Sequence, residues 1–414
     1  MPQSHAYSVL THEEVVDLMW ASNIVPLLKQ RFPQATDDDI RRAHAYAYGG
    51  SVIQDIGYYP WGSHYFSDLL HYVRTGDFVS ALIADSTDIE EYAFALGALA
   101  HYCGDTIGHP YINEATSAEY PKLRKRYGNI VTYEEDPVAH LRTEFGFDVV
   151  QVAHNRFASD AYRDFIGFQV ARPLLHRAFL ETYGIKMDDV MTHEELAIGS
   201  YRRSVSHLIP HMTKVALVAY GKQLKAEDPS FDRKKFIYRI KRSEYRKEFG
   251  KEYKEPGIGS RLLALLVMIV PKIGPFRALR LSLPSPQEEN IYLKSVNLTV
   301  DCYQAHLMEL QQASAVRYGP PLPDMDLDTG KPTAAGEYRL ADYAYAKLLE
   351  QVTEPTDPGI PIAVHDQVLA FYANPSANNA VMKDPVEWRA VQEDLLLLRA
   401  AKLIPPPVIP ASLQ

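Results

Sequence analysis

Apolar residues recur at three- and four-residue intervals along most of this chain, and the strict alternation of a half-buried strand is nearly absent. The pattern predicts an all-α protein. "THEE", Thr11 to Glu14, has the form of a capping box and opens an apolar-periodic helix expected to run through about Lys29. A second helix is predicted from Asp37 to Tyr48, closed by Gly49 and Gly50. "DIGYYPWGS" reads as a turn-rich connection, followed by a short helix from Tyr65 to Arg74. Thr87 or Asp88 can cap a long helix that Gly108 and Pro110 would end. Asp136 and Pro137 supply the N-cap and first position of another helix, through about Phe157. Helices at 160–183 and 193–224 complete a first unit, residues 7–225. The remainder, 226–414, reads as a helical extension with helices near 288–317, 337–353, 362–373 and 386–402, a loop or linker at 319–336 and a proline-rich tail at 403–414.

Composition narrows the class. With 46% hydrophobic and 23% charged residues over 414 positions, the chain has the makings of a folded core rather than of a disordered polymer. A net charge of −9 argues against a basic groove that tracks phosphates, so no stable nucleic-acid complex is expected. Cys103 and Cys302 are too few for a disulfide framework. The most apolar run, Leu262 to Val270, is about half the length a bilayer requires and is interrupted by Pro271 and Pro275, so no transmembrane span is expected. Arg261, Lys272, Arg277 and Arg280 flank it. Residues 261–280 therefore read either as a buried helix or as a peripheral membrane contact.

The chemistry concentrates in "LGALAHYCGDTIGHPYIN", residues 96 to 113. Four residues turn an α-helix through about 400°, so His101, Asp105 and His109 drift only about 40° per step and share one face. Cys103 points about 200° away from His101 and is a poor partner for it. Gly97, Ala98, Ala100 and Gly104 lack bulk, which lets neighbouring helices approach and add ligands. His140 and Glu144 repeat the four-residue spacing on another helix, and Asp55 and His64 lie in and just after the turn-rich connection. A single such histidine is more often a packed core residue than a ligand, as is expected of His44. Two helices bearing these patterns, with Asp55 nearby, favour metal. Nitrogen and carboxylate donors without cysteine point to zinc and to hydrolysis.

"YSVLTH", "GSVIQDIG", "SHYF", "AHYCGDTIGHP" and "HLRTE", in that order, resemble the zinc-dependent phospholipase C family and its relatives, the zinc nucleases that cut single strands. The resemblance covers residues 7 to 220, and its histidine spacing is nearer the glycosylphosphatidylinositol-specific phospholipase D branch. It implies a multi-helix bundle holding two to three zinc ions (Zn2+). Asp55, His64, His101 and Asp105 would hold the first ion, with His71 an alternative to His64. His109, His140 and Glu144 would hold the second. His12 would hold the third with the terminal amine of Tyr7, freed by cleavage after Ala6 in "SHA". Asp55 is expected to act also as general base towards a zinc-activated water in phosphodiester hydrolysis. Tyr58, Tyr59, Trp61, Tyr65 and Phe66 are expected to line a substrate pocket, and Asp148 to support the ligands from behind. The implied substrate is a phospholipid or another phosphodiester, and the implied location is outside the cell or in the periplasm, otherwise the cytoplasm. A nuclease with the same metals, or a structural zinc protein without activity, are the alternative readings.

Overall fold

The computed structural model of the chain describes residues 9–153, 169–203, 285–312, 322–354, 359–373 and 378–405. Among the described residues, the expected all-α architecture is observed. Strands among the described residues are confined to two short pairs, Met325–Asp326 antiparallel to Lys331–Pro332 and Ile360–Pro361 parallel to Leu403–Ile404. No described helix is long and apolar enough to cross a membrane.

The first helix, α1 (Val9–Met19), passes through a π turn at Trp20–Ile24 into α2 (Val25–Arg31). Thr11 sits inside α1 and does not cap it. Its hydroxyl donates to Asp148 Oδ1 at 2.7 Å, while Leu10 N–H donates to Oδ2 at 3.3 Å, so a carboxylate far along the chain anchors this end of the helix. The reciprocal capping box forms instead at Thr36, whose N–H reaches Asp39 Oδ2 at 2.8 Å while its hydroxyl accepts from Asp39 N–H. That box starts α3 (Asp37–Gly50). A 3₁₀ turn at Ile53–Tyr58 leads to α4 (His64–Tyr72), α5 (Thr75–Asp85) and α6 (Ile89–Glu119).

Gly49 and Gly50 are the last two residues of α3, Gly49 against the Gln169 backbone and Gly50 where α3 meets α6. A Cβ on Gly50 would come within 1.8 Å of Phe94 O, and one on Gly97 within 1.9 Å of Ala47 O. Two glycines on facing helices thus set the distance between the axes. Equally, α6 does not stop at Gly108 and Pro110; it continues for 31 residues in all. Proline removes one backbone hydrogen bond and costs about 3 kcal/mol in a helix interior. Burial of most of α6 against α1, α3, α5 and two later helices, Pro137–Ala153 and Pro286–Gln312, offsets that. The continuation keeps His109 on the face of His101 and Asp105.

The remaining elements are α7 (Pro121–Tyr127), α8 (Pro137–Ala153), α9 (Arg172–Tyr183), α10 (Met187–Val190), α11 (Glu194–Arg203), α12 (Pro286–Gln312), α13 (Arg339–Thr353), α14 (Ile362–Phe371) and α15 (Pro385–Ala400). Asp136 caps α8 as its sequence predicts, accepting from Ala139 N–H at 2.9 Å. Tyr7, the far end of the helix expected through Phe157, and the 261–280 stretch lie outside the described residues. One continuous apolar core runs from Val9 to Leu398 and includes Phe94, Leu99, Tyr303 and Tyr345. Each fully buried Phe or Leu in it contributes about 1.5–3 kcal/mol.

Candidate metal centre

Three elements deliver donor atoms to the side of α6 that carries His101, Asp105 and His109. The 3₁₀ turn brings Asp55, α4 brings His71 and α1 brings His12. Asp105 stands at the meeting point, fully buried. Its Oδ2 lies 3.0 Å from His101 Nε2 and 3.3 Å from His71 Nε2, and its Oδ1 lies 3.4 Å from His12 Nε2. Asp55 Oδ1 is 3.3 Å from His71 Nε2. Two overlapping donor sets result, His12–His101–Asp105 and Asp55–His71–His101, each with its atoms within 4.8 Å of one another. A third set, His109–His140–Glu144, meets the same criterion where α6 faces α8. All of these residues are buried.

The imidazoles are held by backbone carbonyls. His101 Nδ1 donates to Ser51 O at 2.9 Å, His71 Nδ1 to Ser67 O at 2.7 Å and His109 Nδ1 to Leu327 O at 2.6 Å. A carbonyl can only accept, so each Nδ1 carries the proton and each Nε2 is left as a lone-pair donor in the neutral ring. Helical repetition explains part of this: His71 reaches the carbonyl one turn before it, while Ser51 follows directly on α3, which the glycine contact brings beside α6.

Electrostatics shows what the cluster lacks. Burial opposes charge on His71, yet the hydrogen bonds of Asp105 and Asp55 outweigh it and hold its pKa well above the usual imidazole value. Burial likewise opposes ionisation of Asp105, but the His101 and His109 side chains win and pull its pKa well below the carboxylate range. Glu144 goes the other way, pushed up by burial and by the charges of Asp105 and Asp55. His140 is pushed down by burial and by His109. Among the described residues, His109 Nε2 is buried without a hydrogen-bond partner, and His140 Nε2 stands 2.6 Å from Glu144 Oε1. An orphaned buried polar atom costs about 1–3 kcal/mol or more. Imidazole and carboxylate atoms converging in threes fit zinc, which would satisfy them together.

Not every residue singled out in the sequence joins the cluster. His64 is the first residue of α4 and is exposed, its ring 5.8 Å from that of Tyr58; His71, two turns further on, occupies the inward position. Phe66 is completely buried in the core, 5.6 Å from Phe179, and is not available to a substrate. Tyr65 is buried beneath Lys347, whose Nζ lies 4.2 Å from the ring centre. Tyr58 lies beside the donors, its ring 5.7 Å from that of His71. Tyr59 packs on Tyr201 at 4.5 Å. Trp61 is 41% exposed, at a left-handed backbone position with φ 67°. Asp148 anchors Leu10 and Thr11, just ahead of His12. His44 is a packing residue as expected, stacked on Trp20 at 3.8 Å and bonded to Asp17 at 2.8 Å.

Sequence reasoning missed the segment that closes the cluster from the distant half of the chain. Leu327 O orients His109, Leu327 N–H donates to His71 O at 3.0 Å, and Asp328 O accepts from Asn113 Nδ2 at 2.9 Å. The Asp328 carboxylate lies 3.3 Å from His109 Nδ1 and accepts the hydroxyls of Tyr72 and Tyr338 at 2.8 and 2.6 Å. Three alternating aspartates, 324, 326 and 328, were the available signal in what reads as a linker.

The family model for zinc dependent phospholipase C aligns with residues 11–191, which contain every donor from His12 to Glu144. Searches of curated proteins and of solved structures returned no match. Residues 11–191, with their helical fold and their nitrogen and carboxylate donor sets, are similar to the zinc-dependent phospholipase C family.

Proposed function

We propose that the protein is a zinc-dependent phosphodiester hydrolase that removes phospholipid head groups in the manner of a phospholipase C. The observation that supports this best is the convergence of His12, Asp55, His71 and His101 around Asp105, beside His109, His140 and Glu144. Two to three zinc ions would be held there, the first by Asp55, His71, His101 and Asp105, the second by His109, His140 and Glu144, and a third through His12. When bound, zinc would polarise the phosphoryl group and make water a nucleophile at neutral pH.

The residues of the chain do the rest. Asp55 is the proposed proton acceptor, a carboxylate within hydrogen-bonding reach of His71 and buried with it, where a proton gained from water is held locally. Burial of the whole donor set lowers the local dielectric and strengthens each interaction with a phosphate. Tyr58 and Trp61 are the proposed contacts for a cationic head group, the first beside the donors and the second at the surface turn. Residues 226–414 form, in this reading, a helical extension that supplies Leu327 and Asp328 as a cover. Export from the cell belongs to the same proposal and is checked by fractionation of the source organism.

The test is product analysis. Zinc-loaded protein is incubated with phosphatidylcholine in mixed micelles, and separately with single-stranded DNA. Diacylglycerol and phosphocholine, abolished in Asp55→Asn, are expected. Phosphatidic acid and choline, cutting of DNA alone, or no hydrolysis by fully loaded protein would each reject the proposal.

A further inference from the structure

We infer that Cys103, Cys302 and His306 form a second, chemically different metal site, for a thiophilic cation of the zinc class, on the side of α6 away from the hydrolytic donors. The helical turn of about 200° between His101 and Cys103 that excludes this thiol from the first cluster directs it towards α12. Cys302 and His306 stand four residues apart on α12 and share the face that packs on α6. Their donor atoms and Cys103 Sγ lie within 4.8 Å of one another. The register is fixed next door, where the Tyr303 hydroxyl donates to Leu96 O at 2.9 Å.

Two sulfurs alone would fit a disulfide. A histidine within reach of both has no part in one, and His306 comes with a partner of its own: its Nδ1 is 3.1 Å from Glu309 Oε2, the carboxylate–histidine pairing that holds metal-binding imidazoles in orientation. Cys103 is buried, whereas Cys302 and His306 are half-buried, so the site has a dry wall and a solvent side from which a fourth ligand, water, can complete a tetrahedron. A cation there ties α12 to α6 without sharing any donor with the hydrolytic cluster.

The hydrolytic donors contain no sulfur, which makes the two sites spectroscopically separable. Reduced, metal-free full-length protein is titrated with cobalt(II). A thiolate-to-cobalt charge-transfer band in the near ultraviolet, saturating at one cobalt per chain, is expected. It should vanish in Cys302→Ser, persist in His109→Ala, and need about 10–100-fold more free cobalt in Glu309→Gln. His306→Ala, at a half-buried position that tolerates truncation, should weaken the band in a chain whose circular dichroism is unchanged. Absence of the band in wild-type protein whose two thiols react freely with a thiol reagent, or its persistence in Cys302→Ser, would overturn the inference.

Discussion

Gly97→Ala tests the link between helix packing and the metal centre. The added methyl would sit 1.9 Å from Ala47 O in α3 and 2.8 Å from Ser51 N just after it, both backbone atoms, where real contacts of this kind essentially never fall below 3.0 Å. No rotamer can relieve this, because the obstacle is main chain. The two helices must part by enough to bring 1.9 Å beyond 3.0 Å, and Ser51 moves with α3. Its carbonyl accepts from His101 Nδ1 at 2.9 Å, so a displacement of that size takes the bond out of range. Overpacking of this kind costs about 1–3 kcal/mol, and the loss of a hydrogen bond behind a metal-binding imidazole about 10–100-fold in affinity. Urea unfolding of the metal-free protein should show the first, and competition with a chromophoric chelator the second. Unchanged stability together with unchanged zinc affinity would refute the packing argument; lost stability with unchanged affinity would refute the coupling to His101.

Three further outcomes follow from single distances. His71→Ala should lose zinc and phosphodiesterase activity by more than the about 10–100-fold expected for a supporting residue, whereas His64→Ala should stay within about twofold of wild type by elemental analysis and turnover. Asp328→Asn should weaken zinc by about 10–100-fold and cost about 1–3 kcal/mol, because the tyrosine hydroxyls and His109 Nδ1 lose a charged acceptor; chelator competition and urea unfolding read the two effects. His176 is raised above its ordinary value of 6.5 by its 2.9 Å hydrogen bond to Glu194. A raised folded pKa gives stability that is fully present below the unfolded pKa and is lost as pH rises through the folded one. The stability difference between wild type and His176→Asn should therefore shrink as pH rises past that window, and a difference that grows would reverse the assignment.

The parts of this protein legible in its sequence are those that follow a local period. Helical spacing gave the all-α class, the shared face of His101, Asp105 and His109, and the pair His140 and Glu144. Boundaries failed where tertiary contacts override local signals. Thr11 gives its hydroxyl to Asp148 instead of capping, Gly49 and Gly50 are retained inside α3 because the Gln169 backbone and α6 respectively leave no room for a side chain, and Pro110 is carried within α6 by its packed neighbours. His64 and His71 are both plausible in a linear reading, and only the direction in which α4 packs decides between them. Leu327 and Asp328 act through contacts more than 200 residues apart in sequence, which no periodicity reports.

Anomalous X-ray scattering at the zinc edge, from crystals of the zinc-loaded protein, addresses the metal centre directly. Two or three peaks about 3.5–4 Å from a neighbour are expected, bounded by His12, Asp55, His71, His101, Asp105, His109, His140 and Glu144. An empty cluster in fully loaded protein, with zinc found only elsewhere, would contradict the assignment of these residues as the hydrolytic centre.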